Sequence, residues 1–366
     1  MNPKLIAFHL PQYHPIPEND EWWGRGFTEW RNVASATALF PDHYQPHIPG
    51  ELGYYDLRLP EVRQQQADMA KKYGIHGFCY YHYWFSGKQL LHRPVTEILS
   101  SGRPDFPFCL CWANENWTRR WDGQDHEVLI SQKYSTEDDE AHFMTLLPYF
   151  KDPRYIRIQN KPLFIVYRAS RLIDSFTTTS LWRRLAHLHG LEGLYLVKVE
   201  SFQTERNRIP QQDGFDAALD FQPDWSALPA PMEPPFHWKI LNQLGLTRSH
   251  PFRDNQVFDY SEVVAAMLNR PSVPYTRFPC VTPAWDNTAR RRNGGATVIQ
   301  GSTPDTYGYW LRSVLADQQT LQRLPEPIVF INAWNEWAEG NHLEPDLKWG
   351  NEYLRTTLAS INTLHE

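Results

Sequence analysis

Eight short apolar runs punctuate the sequence, and most are separated by a stretch with helical spacing. The runs are Leu5–Leu10, Ile75–Trp84, Phe106–Ala113, Lys161–Arg168, Leu194–Glu200, Phe215–Phe221, Arg277–Trp285 and Ile328–Ile331. Helices are predicted over Leu59–Tyr73, Gln89–Ser100, Thr136–Phe150, Ser180–His189, Ser261–Asn269, Thr303–Leu321 and Tyr353–Leu364. In the first of these, Val62, Met69, Ala70 and Tyr73 recur at helical intervals between Pro60 and Gly74. Strand–helix alternation of this kind argues for parallel βα units. Eight units predict a single α/β domain over residues 1–366, a (β/α)8 barrel with long βα loops. A Pro-rich insertion, about 226–258, follows the sixth run. An open doubly wound sheet would also alternate, but it usually carries a Gly-rich phosphate turn after the first strand, and none appears.

In a barrel of this type the reacting groups come from the C-terminal ends of the strands. Nearly every run here ends in chemically capable residues. His9 and Tyr13 close the first. Tyr81, His82 and Trp84 close the second, and Trp112, Asn114, Glu115 and Trp117 the third. Tyr167 follows the fourth, and Trp285 and Asp286 the seventh. Asn335, Glu336, Trp337 and Glu339 follow the eighth. The long Pro15–Pro60 loop, which contains Glu29 and Trp30, reads either as a cover over the site or as a lid packed by its own aromatics. After the third run, Arg119, Arg120, Trp121 and Asp122 supply hydrogen-bonding side chains. The basic run Ala289–Arg292 reads as a solvated loop, with an anion or product site as the alternative.

The most informative stretch is Ile328–Gly340. Glu336 and Glu339 lie three positions apart among Trp and Asn side chains. Paired carboxylates supply the acid and base of glycosidic cleavage, and Trp faces and amides hold sugar rings and hydroxyls. Aromatics form 14% of the chain, with 15 Trp and 18 Tyr, a supply beyond core needs. Repulsion should raise the pKa of one acid and keep it protonated near neutrality. Glu336, nearer the strand, is read as base or nucleophile-like group and Glu339 as acid, with Glu115 competing for the second place.

A net charge of −6 gives no basic footprint for nucleic acid, and the expected partner is an oligo- or polysaccharide. The four Cys lie in or beside apolar runs and read as reduced core residues of a cytoplasmic protein. Neither a signal peptide nor a membrane span is expected. No cofactor or metal is required by this reading. Two alternatives use the same strand ends: a non-catalytic glycan-binding barrel, and a metal-dependent hydrolase with His9, His82 and Asp286 as ligands.

Five motifs, His9–His14, Trp22–Trp30, Gly77–Trp84, Trp112–Trp117 and Trp334–Gly340, together resemble the WbsX-like family. Those proteins are associated with bacterial surface-polysaccharide gene clusters and labelled glycosyltransferases. Through Asn335-Glu336-Trp337 and Glu339-Gly340 the chain is also similar, more weakly, to glycoside hydrolase family 99. That resemblance implies a retaining hydrolase acting on a surface polysaccharide or related glycan. Glu336 would act on the sugar 2-hydroxyl, Glu339 as general acid, and a 1,2-anhydro sugar would form between the two steps. The transferase label implies a role in O-antigen or capsule synthesis instead. That chemistry would need a diphosphate site, for which Arg290–Arg292 is the candidate.

Overall fold

The computed structural model describes residues 3–40, 42–119, 124–206, 208–234, 236–244, 251–291 and 294–363. Arg120, Trp121, Asp122 and Arg292 lie outside the described residues. Eight parallel strands form a barrel: β1 (Lys4–His9), β2 (Ile75–Phe85), β3 (Phe108–Trp112), β4 (Lys161–Val166), β5 (Tyr195–Val199), β6 (Ala217–Leu219), β7 and β8 (Ile328–Ile331). β7 consists of two segments, Arg277–Phe278 and Cys280–Val281, flanking Pro279. The first segment pairs with β6 and the second with β8. Proline has no N–H to give to a ladder. Its carbonyl still accepts from Phe330 N at 2.9 Å, and the ring is complete apart from that residue.

The helices that cover the barrel are α1 (Pro60–Lys72), α2 (Arg93–Ser101), α3 (Thr136–Lys151), α4 (Ser175–Leu188), α5 (Tyr260–Leu268), α6 (Pro304–Ala316) and α7 (Glu352–Asn362). Their ends follow local chemistry. Ser135 accepts from Asp138 N to start α3, and three acids occupy its first turn, where the helix dipole favours them. Thr303 and Thr306 form a reciprocal cap on α6. α1 opens on proline and stops before Gly74, whose φ of +83° favours glycine.

Inside the barrel the strands contribute large apolar side chains. Phe8 meets Phe221 edge-on at 5.0 Å and Phe330 at 5.8 Å, and all three are buried. Each such ring contributes roughly 2–3 kcal/mol on burial. Together they plug the barrel beneath the strand ends.

Four local expectations change. The 226–258 insertion contains a helix, Phe236–Gln243, and a strand begins at Gln256. That strand, Gln256–Asp259, joins Thr297–Gln300 and Trp285–Asp286 in a separate sheet. Trp285 therefore belongs to this sheet rather than to β7. The helix predicted from Gln89 begins at Arg93, because Lys88–Leu90 pairs back on β2. The Thr303–Leu321 helix breaks at Asp317, which caps a further turn.

Candidate active site

The loop after β8 is held by its neighbours rather than by its own regular structure. Asn335 Oδ1 accepts from Leu10 N at 2.7 Å, and Asn335 Nδ2 donates to Leu10 O and Tyr55 Oη, each at 3.1 Å. Tyr13 donates to Asn335 O and accepts from Trp337 N. Trp337 Nε1 donates to Glu344 at 2.6 Å, and Tyr55 and Gln66 donate to the same carboxylate. Trp30 packs on Tyr13, Tyr55 and Trp337. The backbone on both sides of Glu336 is thereby fixed.

Glu336 and Glu339 meet at one guanidinium. Arg290 Nη2 donates to Glu336 at 3.0 Å, Nη1 donates to Glu339, and Nε donates to Glu29 at 3.2 Å. Glu29 is fully buried, and the side chains of Glu336, Arg290 and Glu339 are 7%, 14% and 20% exposed. Three carboxylates therefore share one fixed cation away from bulk water. Burial, and then repulsion from Glu339, push Glu336 up to about 8 against the pull of Arg290. Burial also raises Glu29. The sequence reading expects repulsion to raise one member of the pair, and the deeper Glu336 is raised in this way. Desolvation is the larger cause, because the charged form is disfavoured where water is scarce.

Above this cluster opens a cavity of about 450 Å³. Glu115, Glu336 and Glu339 all line it, with Tyr81, Tyr83, Trp117, Tyr167, Trp225 and Trp285 among its walls. Burial holds Tyr81, Tyr83 and Tyr167 well above the usual phenol range, which leaves them neutral hydrogen-bond donors. Glu115 is tied to Arg168, whose guanidinium also contacts Glu205 and lies 4.2 Å from the Phe202 ring centroid. An aromatic, hydroxyl-lined cleft with acids in its floor has the composition needed to bind and polarise a sugar.

The family model described as Glycosyltransferase WbsX matches residues 5–357. The chain belongs to the WbsX family. Two curated relatives, both described as uncharacterized protein WxcX from strains of Xanthomonas campestris pv. campestris, are 43% and 42% identical over 359 residues. These matches cover 98% of this chain and 49% of each relative, so the WbsX chain spans about half the length of the curated relatives it matches. Among solved structures, a family 99 endo-α-mannosidase from Bacteroides thetaiotaomicron aligns with a TM-score of 0.54 at 15% identity, covering 99% of this chain and 97% of that one. A glycoside hydrolase-like protein aligns at 0.58 and 12%, covering 98% and 94%. These likenesses concern the fold: the WbsX chain has the (β/α)8 barrel of those proteins, and its family is one of carbohydrate-active enzymes.

In this WbsX chain, several expected wall residues lie away from the cavity. On β2, Tyr81 and Tyr83 line it, while His82 and Trp84 point to the helices. His82 lies 2.9 Å from His142 on α3, and Trp84 stacks on the same ring. Trp112 packs there too, against His142 and Trp182. His9 is buried against Gln66 of α1 at 3.2 Å. Burial lowers His9 and His82 to about 3, which keeps both neutral. Asn114 ties strand ends together by accepting from Arg168 N and donating to Arg168 O. Asp286 accepts from His43, Gln45 and Thr288, and so anchors the turn that carries Arg290. Tyr13, Trp30, Asn335 and Trp337 buttress the loop as described above rather than forming its cavity wall. The proposed metal set His9, His82 and Asp286 is therefore dispersed among three separate contacts.

Residues the sequence reading undervalued include Arg290, read as solvated, and Glu29, passed over within its loop. A signal for both was present: each acid or base sits among residues of buried type, Glu29 beside Trp30 and Arg290 beside Ala289.

Proposed function

We propose that this chain is a retaining glycoside hydrolase acting on a bacterial surface polysaccharide or related glycan, with Glu336 and Glu339 as its catalytic pair. The observation that carries the reading is the shared Arg290 contact of two carboxylates in the floor of an aromatic cavity. In the reaction, the Glu336 carboxylate takes the proton of the sugar 2-hydroxyl as that oxygen bonds to the anomeric carbon. Glu339 gives its proton to the departing glycosidic oxygen as the old bond breaks. Water then opens the 1,2-anhydro sugar: Glu339 takes a proton from the water as it bonds to the anomeric carbon, and Glu336 returns its proton to the 2-oxygen as the epoxide bond breaks. The pair needs one proton in total at the start. Such a proton belongs to the coupled pair rather than to one member, and a pair member held near 8 supplies it at neutral pH. A base of that strength also suits a weakly acidic hydroxyl better than an ordinary carboxylate. Neutral Tyr81, Tyr83 and Tyr167 serve as hydroxyl partners, and Trp225 and Trp285 as stacking walls.

Transfer from a nucleotide sugar is less well supported. Arg290, part of the diphosphate candidate Arg290–Arg292, is already committed to three acids. An incoming diphosphate would meet their charge. Glu115, paired with Arg168, is read as a binding residue. No helix among the described residues is long and apolar enough to cross a membrane. The four buried free cysteines suit the proposed cytoplasmic location.

The test is incubation of the chain with a panel of bacterial surface polysaccharides, with products read by mass and anomeric NMR. Oligosaccharide release with retained configuration is expected. It should be lost in Glu336→Gln, and in Glu339→Gln it should be recovered on substrates with leaving groups that need no proton. Turnover only with an added nucleotide sugar, or full activity of Glu339→Gln alongside loss in Glu115→Gln, would overturn the assignment.

A further inference from the structure

Behind the active-site loop lies a second polar cluster that the proposed reaction does not use. His342 follows Glu336 on the returning arm of a short hairpin in which Asn335 pairs with His342 and Glu336 with Asn341. Trp337 stacks on the His342 ring with centroids 3.7 Å apart and planes at 15°. On its other side His342 Nε2 lies 2.8 Å from Nδ1 of His47, in the long loop after β1. Asp346 completes the group. Ligand-type atoms of the three side chains all lie within 4.8 Å of one another, and all three residues are buried.

We propose that His47, His342 and Asp346 form a divalent-cation site, suited to zinc, that fastens the loop after β1 to the active-site loop after β8.

The outer contacts prepare these atoms for a metal. His342 Nδ1 lies 2.8 Å from the carbonyl oxygen of Glu344. A carbonyl only accepts, so Nδ1 carries the hydrogen and Nε2 presents its lone pair toward His47 and Asp346. A ligating imidazole whose other nitrogen donates to a backbone carbonyl is the usual arrangement around bound metals. Asp346 is oriented in the same way: Tyr44 donates to its Oδ2 at 2.9 Å and Trp349 N to its Oδ1 at 2.6 Å. Without an ion, the two facing imidazoles need a hydrogen between them, carried by His47 Nδ1. With an ion bound, that hydrogen moves to His47 Nε2, and no net proton is released. Nearby charges are otherwise engaged: Lys348 lies over the Tyr44 and Trp349 rings, and His43 is held by Asp286 at 2.7 Å.

Two imidazoles and one carboxylate match zinc better than calcium or magnesium, which take oxygen ligands. Three protein ligands leave one position for water. None of the three side chains lines the cavity. The cation would therefore act on position, by fixing the imidazole on which Trp337 rests, one residue from Glu336.

The test uses the purified full chain. Elemental analysis after dialysis against zinc and then buffer should find about one equivalent per chain. Cobalt loading should produce the visible absorption of a low-coordinate nitrogen–oxygen site. Saturating zinc should raise the thermal midpoint by about 3 °C or more relative to chelator-treated protein. His342→Gln and Asp346→Asn should each lose the cobalt band. Only trace zinc, no cobalt band and equal midpoints with zinc and with chelator would overturn the proposal. So would zinc uptake unchanged in both variants. Should either variant fail to fold, the cobalt spectrum and paired midpoints of the unaltered chain decide.

Discussion

Replacing Arg290 by Gln tests the electrostatic logic of the proposed catalytic pair, Glu336 and Glu339. Arg290 Nη2 lies 3.0 Å from a Glu336 oxygen, which places the charge centres about 4 Å apart. At that separation, with an effective dielectric constant near 20, the attraction is about 4 kcal/mol. At about 1.4 kcal/mol per pKa unit, the ceiling on the resulting shift is roughly 3 units. Arg290 divides its contacts among Glu29, Glu336 and Glu339, and water entering the vacated space restores part of the loss. A shift of about 1–2 units is the expected result. The sign follows from charge: the guanidinium stabilises the ionised carboxylate, so its removal makes the pair hold its proton more tightly. The proposed reaction needs one proton on the pair, so activity should fall as pH rises through about 8 in the unaltered chain. In Arg290→Gln that limb should move to roughly pH 9–10. Glu29→Gln removes a repelling carboxylate and should move the limb the other way. The assay is kcat/KM against pH on the cleaved polysaccharide, which reports the free enzyme, supported by carbon-detected NMR titration of the glutamate carboxyls. A limb that stays near 8 in both variants, or moves down in Arg290→Gln, would refute the reasoning.

Asn335→Ala removes three hydrogen bonds that hold the loop to Leu10 and Tyr55, and should cost about 2–4 kcal/mol by denaturant unfolding. The same variant should lower kcat more than it raises KM. Gly340→Ala places a Cβ 3.0 Å from Asp286 Cβ at a φ of +55°, and is expected to lose about 1–3 kcal/mol with a lower kcat. An unfolding midpoint equal to that of the unaltered chain would show that the turn relaxes freely. Glu344 and the buried histidines pull the pH dependence of stability in opposite senses, so the Glu344 contribution is read by difference. Burial raises Glu344 to about 7 from a reference of 4.5, so its contribution is complete below the reference value and lost as pH climbs through 7. The loss is about 3 kcal/mol, measured as the difference between unfolding titrations of the unaltered chain and of Glu344→Gln from pH 4.5 to 8. A pH slope unchanged in Glu344→Gln would contradict the burial argument.

The barrel was legible in the sequence because eight apolar runs separated by helical spacing allow few other packings. Glu336, Glu339 and Glu115 were legible for a related reason: acids embedded among Trp and Asn at strand ends stand out against a solvated loop. Side-chain direction was not legible in the same way. Successive strand residues point to opposite faces, and a run such as Tyr80-Tyr-His-Tyr-Trp84 is rich enough on both faces to hide its phase. The β2 pairings with β1 and β3, and the helices outside, send Tyr81 and Tyr83 to the cavity and His82 and Trp84 to α3. Strand seven misled for another reason, since Pro279 and Trp285 lie in one apolar run but in different sheets. The sequence by itself determined the repeating architecture, the supply of aromatic and acidic side chains, and the loop that carries Glu336 and Glu339. Only the tertiary structure brought Glu29 and Arg290 to that pair, and His47 to His342. Those contacts join loops far apart in the chain, and a charge's pKa and partners depend on burial and distance, which folding alone supplies.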